Sequence, residues 1–183
     1  MKKYLILFVL FTIPLIKCFS QDGEKWMLNT EKSLIQYEAK HLLHNWNGIN
    51  KAVKGVFVIQ GDSVKIAVAA NIADFDSGIS NRDSNTLRVL DVFKHPQVRF
   101  YSDQILISEN NISFDGELDF HGIKIKKKLE ALYTITEKTM TIQGSFAVVL
   151  TDFNIKLPSL MLVKMDDVAD VSYELVFEKD TDN

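Results

Sequence analysis

Alternation of apolar and polar positions runs through most of this chain. Ile112, Phe114, Gly116, Leu118 and Phe120 alternate with Ser113, Asp115, Glu117 and Asp119. That is the period of a strand with one buried face and one wet face. Val64, Ile66, Val68, Ala70 and Ile72 form a second such set, and Val171, Tyr173, Leu175 and Phe177 a third. Ile35, Tyr37 and Ala39 open the domain in the same way. Residues 53–59 and 140–150 are richer in β-branched and apolar side chains, which predicts burial on both faces over part of their length. Gln60-Gly61-Asp62, Glu109-Asn110-Asn111 and Glu137-Lys138 fall between these runs and predict hairpins in an up-and-down meander. Seven or eight such strands must hide their edges, and closure into a barrel does that most simply.

One segment changes period. Ser80 or Asn81 is placed to cap a helix starting at Arg82. Leu87, Leu90 and Phe93 then recur at helical spacing until Pro96 stops the run after His95. A single helix of about three turns on a meander predicts a lid or plug.

The first residues have another character. Lys2 and Lys3 precede an apolar run from Tyr4 to Ile16, and Cys18-Phe19-Ser20 leads into polar Gln21, Asp22 and Gly23. This is the layout of a secretory leader cleaved before Gln21. The apolar run is too short to span a bilayer, so no membrane span is expected. The rival is a lipoprotein signal acylated on Cys18; Leu15 suits that reading and Lys17 does not. Cleavage would give a periplasmic or secreted product. With Lys2, Lys3 and Lys17 gone, 18 of the 21 basic residues remain against 24 acidic ones, a net of −6. So acidic a chain argues against nucleic acid as a partner. The single cysteine leaves too, and with it any disulfide, thiol nucleophile or cysteine metal site. The sequence leaves the oligomeric state open, a homodimer included.

Candidate chemistry is sparse. Phe57, Phe75, Phe93, Phe100, Phe114, Phe120, Phe146 and Phe153 are spread over nearly every element. They either fill a core or line an apolar tunnel, and a barrel of eight strands is the size at which both occur. His41 and His44, three apart beside Trp46, could share a metal if a further ligand joined them. Asp74, Asp76 and Asp83 lie close together, but their spacing is not that of a calcium loop, and Arg82 with Asp83 reads as a helix start. Lys124, Lys126, Lys127 and Lys128 read as a solvated strand face at an edge, or as a rim for an anionic head group. No nucleophile elbow, phosphate loop or dinucleotide fingerprint is present, so no catalytic residue is nominated and an enzyme is not expected.

Several short motifs resemble one family when taken in order. These are Tyr37-Glu38-Ala39-Lys40-His41, Val53-Lys54-Gly55-Val56-Phe57, Ser80-Asn81-Arg82-Asp83 with Asp91-Val92-Phe93, and His95-Pro96-Gln97-Val98-Arg99-Phe100-Tyr101-Ser102. Gly116-Glu117-Leu118-Asp119-Phe120-His121-Gly122-Ile123 and Leu150-Thr151-Asp152-Phe153-Asn154-Ile155 follow. Together they resemble the YceI-like family, a lipid- or polyisoprenoid-binding domain of bacterial periplasmic proteins. The segment His41–Trp46 departs from the common pattern, which marks that mouth as specialised. The resemblance implies an all-β fold: an extended eight-stranded antiparallel lipocalin-like barrel with one helix packed against it. It divides the chain into a leader (1–20), an N-terminal segment (21–32), the barrel domain (33–179) and a tail (180–183). It also implies a hollow interior that holds an isoprenoid-type apolar chain, a quinone or polyprenyl lipid, for carriage or storage. Phe57, Phe75, Phe93, Phe100, Phe114, Phe146 and Phe153 would then line it. Trp46 would sit at the mouth, and His41 and Arg82 would meet a polar head. The alternatives are a metal-binding protein or metal-dependent enzyme built on His41 and His44, and a structural or stress-response module with a filled barrel.

Overall fold

The computed structural model describes residues 23–41, 45–160 and 163–180. The expected leader, Cys18 and His44 lie outside them. Among the described residues thirteen strands are formed: β1 (Glu24–Leu28), β2 (Leu34–Lys40), β3 (Asn45–Asn50), β4 (Lys54–Gln60), β5 (Ser63–Asn71), β6 (Phe75–Asp76), β7 (Gln97–Ser108), β8 (Asn111–Phe120), β9 (Ile123–Ile135), β10 (Thr139–Val149), β11 (Ser159–Leu160), β12 (Val163–Lys164) and β13 (Val168–Lys179). Helix α1 (Ser80–Val89) follows β6.

Eight strands close a ring in the order β1-β4-β5-β7-β8-β9-β10-β13, with β13 returning to β1. Every pairing is antiparallel. The barrel wall therefore takes in part of the 21–32 segment and begins before residue 33. Closure works because Trp26 and Leu28 share the inward parity of β1 and are buried. Trp26 lies opposite Phe57 on β4 and Lys179 on β13. Strand β13 is long enough to take β1 at its C-terminal end and β2 over Ala169–Glu174. Strands β2, β3 and β6 then extend the wall past the ring.

The three expected turns all connect paired strands. A fourth, at His121-Gly122 between β8 and β9, was not marked as a turn by composition. Both residues have positive φ, 51° and 76°, the geometry of a two-residue hairpin whose twist matches its strands. A methyl group on Gly122 would sit 2.7 Å from His95 Cε1, and the His95 ring packs against His121 with centroids 4.6 Å apart. Gly122→Ala is expected to destabilise the fold by about 2 kcal/mol, read as a lowered urea midpoint, because an L side chain is strained there.

Asn50 and Ser102 are buried polar residues tied to the backbone. Asn50 is fully buried; its Nδ2 donates to the Asn71 carbonyl at 2.8 Å and its Oδ1 accepts from Ala52 N–H at 2.7 Å. Ser102 sits at a bulge where β7 slips against β8, donating to the Asp115 carbonyl at 2.9 Å and accepting from Gln104 N–H at 3.2 Å.

The helix differs from expectation at both ends. It starts at Ser80 with Ile79 as the capping residue, which offers no side-chain cap. Asp83 instead accepts a hydrogen bond from Ser77 N–H at 3.1 Å, across the helix start. At the other end, Asp91 takes a φ of 44° and turns the chain out of the helix before Phe93.

The lysine run lies on β9, on a stretch that pairs with β8 on one side and, among the described residues, has no partner strand on the other, the strand edge that the sequence suggested. Lys124, Lys126 and Lys128 face Asp119, Glu117 and Asp115 of β8 across the outer surface. Lys124 Nζ reaches Glu117 Oε1 at 2.9 Å. Lys127 has the inward parity of Ile125 and Leu129. It stands where β9 and β10 part: their pairing covers Ala131–Ile135 and Met140–Gly144 and goes no further. Lys127 Nζ crosses this seam to the Ala147 carbonyl at 2.7 Å and lies 6.0 Å from the Phe146 ring centre.

Candidate functional site

The inward faces of the strands do not meet in the middle. Two apolar clusters fill the ends of the barrel. The first packs Trp26, Phe57, Ile112, Met140 and Phe177. The second gathers Leu118, Val148, Leu150, Phe153, Ile155 and Met165. Between and partly within them runs a cavity of about 200 Å³. The filled-barrel expectation therefore does not describe this interior. An apolar space of that size is suited to apolar molecules.

The lining follows from strand parity. β5 contributes Ile66, Val68 and Ala70, the very residues of its alternating set; β8 gives Phe114 and Leu118; β13 gives Ala169, Val171, Tyr173 and Leu175. Helix α1 closes one side of the mouth with Thr86 and Val89, followed by Leu90. Ile155, Pro158 and Met165, from the connection between β10 and β13, close another.

Five of the nominated residues come together here: Trp46, Phe75, Phe100, Phe114 and Phe146 all line the cavity. Phe100 and Phe114 meet edge-on at 6.1 Å, and Phe75 packs on Tyr37 at 5.6 Å. The others sit elsewhere. Phe57 is fully buried in the first cluster, edge-on to Phe177 at 6.2 Å, below the cavity. Phe153 is buried behind Phe120, whose ring does line the space. Phe93 is 98% exposed, because the helix has already ended. Phe93→Ala is expected to leave stability within about 0.5 kcal/mol and ligand affinity unchanged, checked by thermal unfolding and titration.

The nominated polar residues hold walls together. Arg82 places its guanidinium 5.9 Å from the Trp46 ring centre, joining α1 to β3. His41 is buried, and its Nε2 is 3.0 Å from the Val163 carbonyl, so it ties the end of β2 to β12. Among the described residues no group of three His, Cys, Asp or Glu side chains is placed to hold a metal ion.

Two lining tyrosines escaped the sequence reading, although both lie in alternating sets. Burial pushes the Tyr37 phenol above its ordinary value, against an opposing hydrogen bond with Thr86 of α1. Burial alone pushes Tyr173 up to about 12. Both therefore stay protonated at any physiological pH. Arg99, also at the lining, turns its guanidinium to Gln97 Oε1 at 2.8 and 3.0 Å. Chemically, such a wall removes apolar surface from water.

Known proteins share this design. A UPF0312 protein of Pectobacterium atrosepticum is 24% identical over 107 residues, 55% of this chain; the match spans 56% of that protein's length. BcnA of Burkholderia cenocepacia superposes with a TM-score of 0.70 at 18% identity, over 81% of this chain and 98% of its own. A polyisoprenoid-binding domain from Saccharophagus degradans gives 0.68 at 10% identity, over 85% and 98%. The YceI protein of Campylobacter jejuni gives 0.58 at 16% identity, over 98% and 99%. The family model of the YceI-like domain matches residues 26–177, from the strand that closes the ring to the last buried phenylalanine of β13, and the chain belongs to that family.

Proposed function

We propose that this protein is an exported binding protein that holds an isoprenoid-type chain, a quinone or polyprenyl lipid, inside its barrel for carriage or storage, without catalysing a reaction. The observation that carries this reading is the cavity between the two apolar clusters, walled almost wholly by aliphatic and aromatic side chains. Burial supplies the affinity: each methylene removed from water contributes about 0.8 kcal/mol, so one five-carbon unit adds roughly 3–4 kcal/mol before ordering costs. The polyisoprenoid-binding domain from Saccharophagus degradans, which shares the fold, supports the choice of ligand class. Residues 1–20, read as a leader, support export.

The test is organic extraction and mass spectrometry of protein purified from its native compartment. A prenyl lipid near one per chain is expected. Lipid-free protein from that source, still unable to take up a prenyl quinone added in vitro, would refute the reading.

A further inference from the structure

Tyr173 carries a hydroxyl that the fold does not use. It stands on β13 directly opposite Gly144 of β10, and its ring packs on Phe146 at 6.2 Å. A methyl group on Gly144 would come within 2.5 Å of the Tyr173 hydroxyl and 3.2 Å of Ala131 Cβ. A glycine in the middle of a strand weakens it, and here it clears the space that the hydroxyl occupies. That hydroxyl makes no hydrogen bond to another described residue, and the half-buried side chain lines the cavity.

Tyr37 provides the contrast. Its ring covers Gly48, its partner across the β2–β3 pair, in the same way. Its hydroxyl, however, is engaged by Thr86 and holds the helix. Covering a bare glycine with an aromatic ring explains both rings. It explains neither hydroxyl, since phenylalanine would cover the glycine equally well. Tyr37 has a structural partner for its hydroxyl. The Tyr173 hydroxyl has no such partner among the described residues; its side chain lines the cavity and packs on Phe146, with the β9–β10 seam ending beside it.

We propose that Tyr173 donates a hydrogen bond to an oxygen of the bound ligand, so that the barrel selects isoprenoid-type chains bearing an oxygen acceptor over bare hydrocarbon. The inference rests on the binding reading above and adds to it the polar end of the ligand. The phenol is fit for this role because it remains a donor throughout the physiological range.

Three probes test it on the full mature chain: ubiquinone-2 with a ring carbonyl, farnesol with a hydroxyl, and squalene with no oxygen. Tyr173→Phe keeps the ring over Gly144 and is expected to fold as the wild type does. It should weaken at least one oxygen-bearing probe about tenfold and leave squalene unchanged, and whichever probe responds identifies carbonyl or hydroxyl as the acceptor. Gly144→Ala, which places a methyl group against the hydroxyl, should give the same selective loss. If Tyr173→Phe binds all three probes as the wild type does, the role of Tyr173 is overturned and the binding reading stands. If the wild type takes up none of them, both fall.

Discussion

Replacing Val171 by tryptophan is expected to abolish uptake of a prenyl quinone while leaving the barrel folded. Val171 lies on β13, lines the cavity, and is opposite Phe146 on one side and Tyr37 on the other. An indole at this point fills much of a space of about 200 Å³ from within. In a tightly packed core, added atoms force neighbours off their rotamers at about 1–3 kcal/mol. Here they enter a void, so the melting temperature should move by only a few degrees. Affinity for ubiquinone-2 should fall at least about 100-fold, equivalent to about 2.7 kcal/mol. Titration and thermal unfolding on the same sample separate the two effects. Undiminished binding in a folded Val171→Trp protein would mean that the ligand lies outside the barrel.

Phe57→Ala should behave in the opposite way. Phe57 is fully buried, edge-on to Phe177 and opposite Trp26, in the cluster below the cavity. Truncating such a ring removes its burial and leaves a hole that the rigid sheet cannot collapse, at about 3–5 kcal/mol. For a chain of this size that lowers the melting temperature by on the order of 10 °C. The protein that remains folded at low temperature should bind ligand with unchanged affinity. A selective loss of affinity without loss of stability would place Phe57 in the site after all.

The contrast between these two residues shows what strand patterns reveal and what they leave open. Alternation identifies which side chains face inward. Ile66, Val68 and Ala70 were legible as one inward set and do line the cavity. Depth along the barrel is another matter. It depends on the stagger between neighbouring strands, which links residues far apart in sequence. Phe57 and Phe114 both point inward, but one lies under the cavity and the other in its wall. Tyr173 was likewise legible as inward, while its unused hydroxyl emerges only once Gly144 is seen opposite it. The helix was legible from its change of period. Its early end was not, because the exit is set by a left-handed Asp91, a residue type without the glycine signal. Closure through β1 was hidden because five residues are too few for a convincing alternation. The family motifs, read in order, captured the architecture that local patterns could not close.

The gap between β9 and β10 gives this barrel a property that strand count alone would deny it. A fully laced barrel has a girth fixed by the number and stagger of its strands. Widening it means breaking a ladder of backbone hydrogen bonds together. Here the wall along residues 145–149 is held to β9 by the Lys127 ammonium on the Ala147 carbonyl, an exposed contact on a flexible side chain. The ring is thus laced at the end where Ile135 pairs with Met140 and unlaced toward the other, where side chains rather than a backbone ladder set its girth.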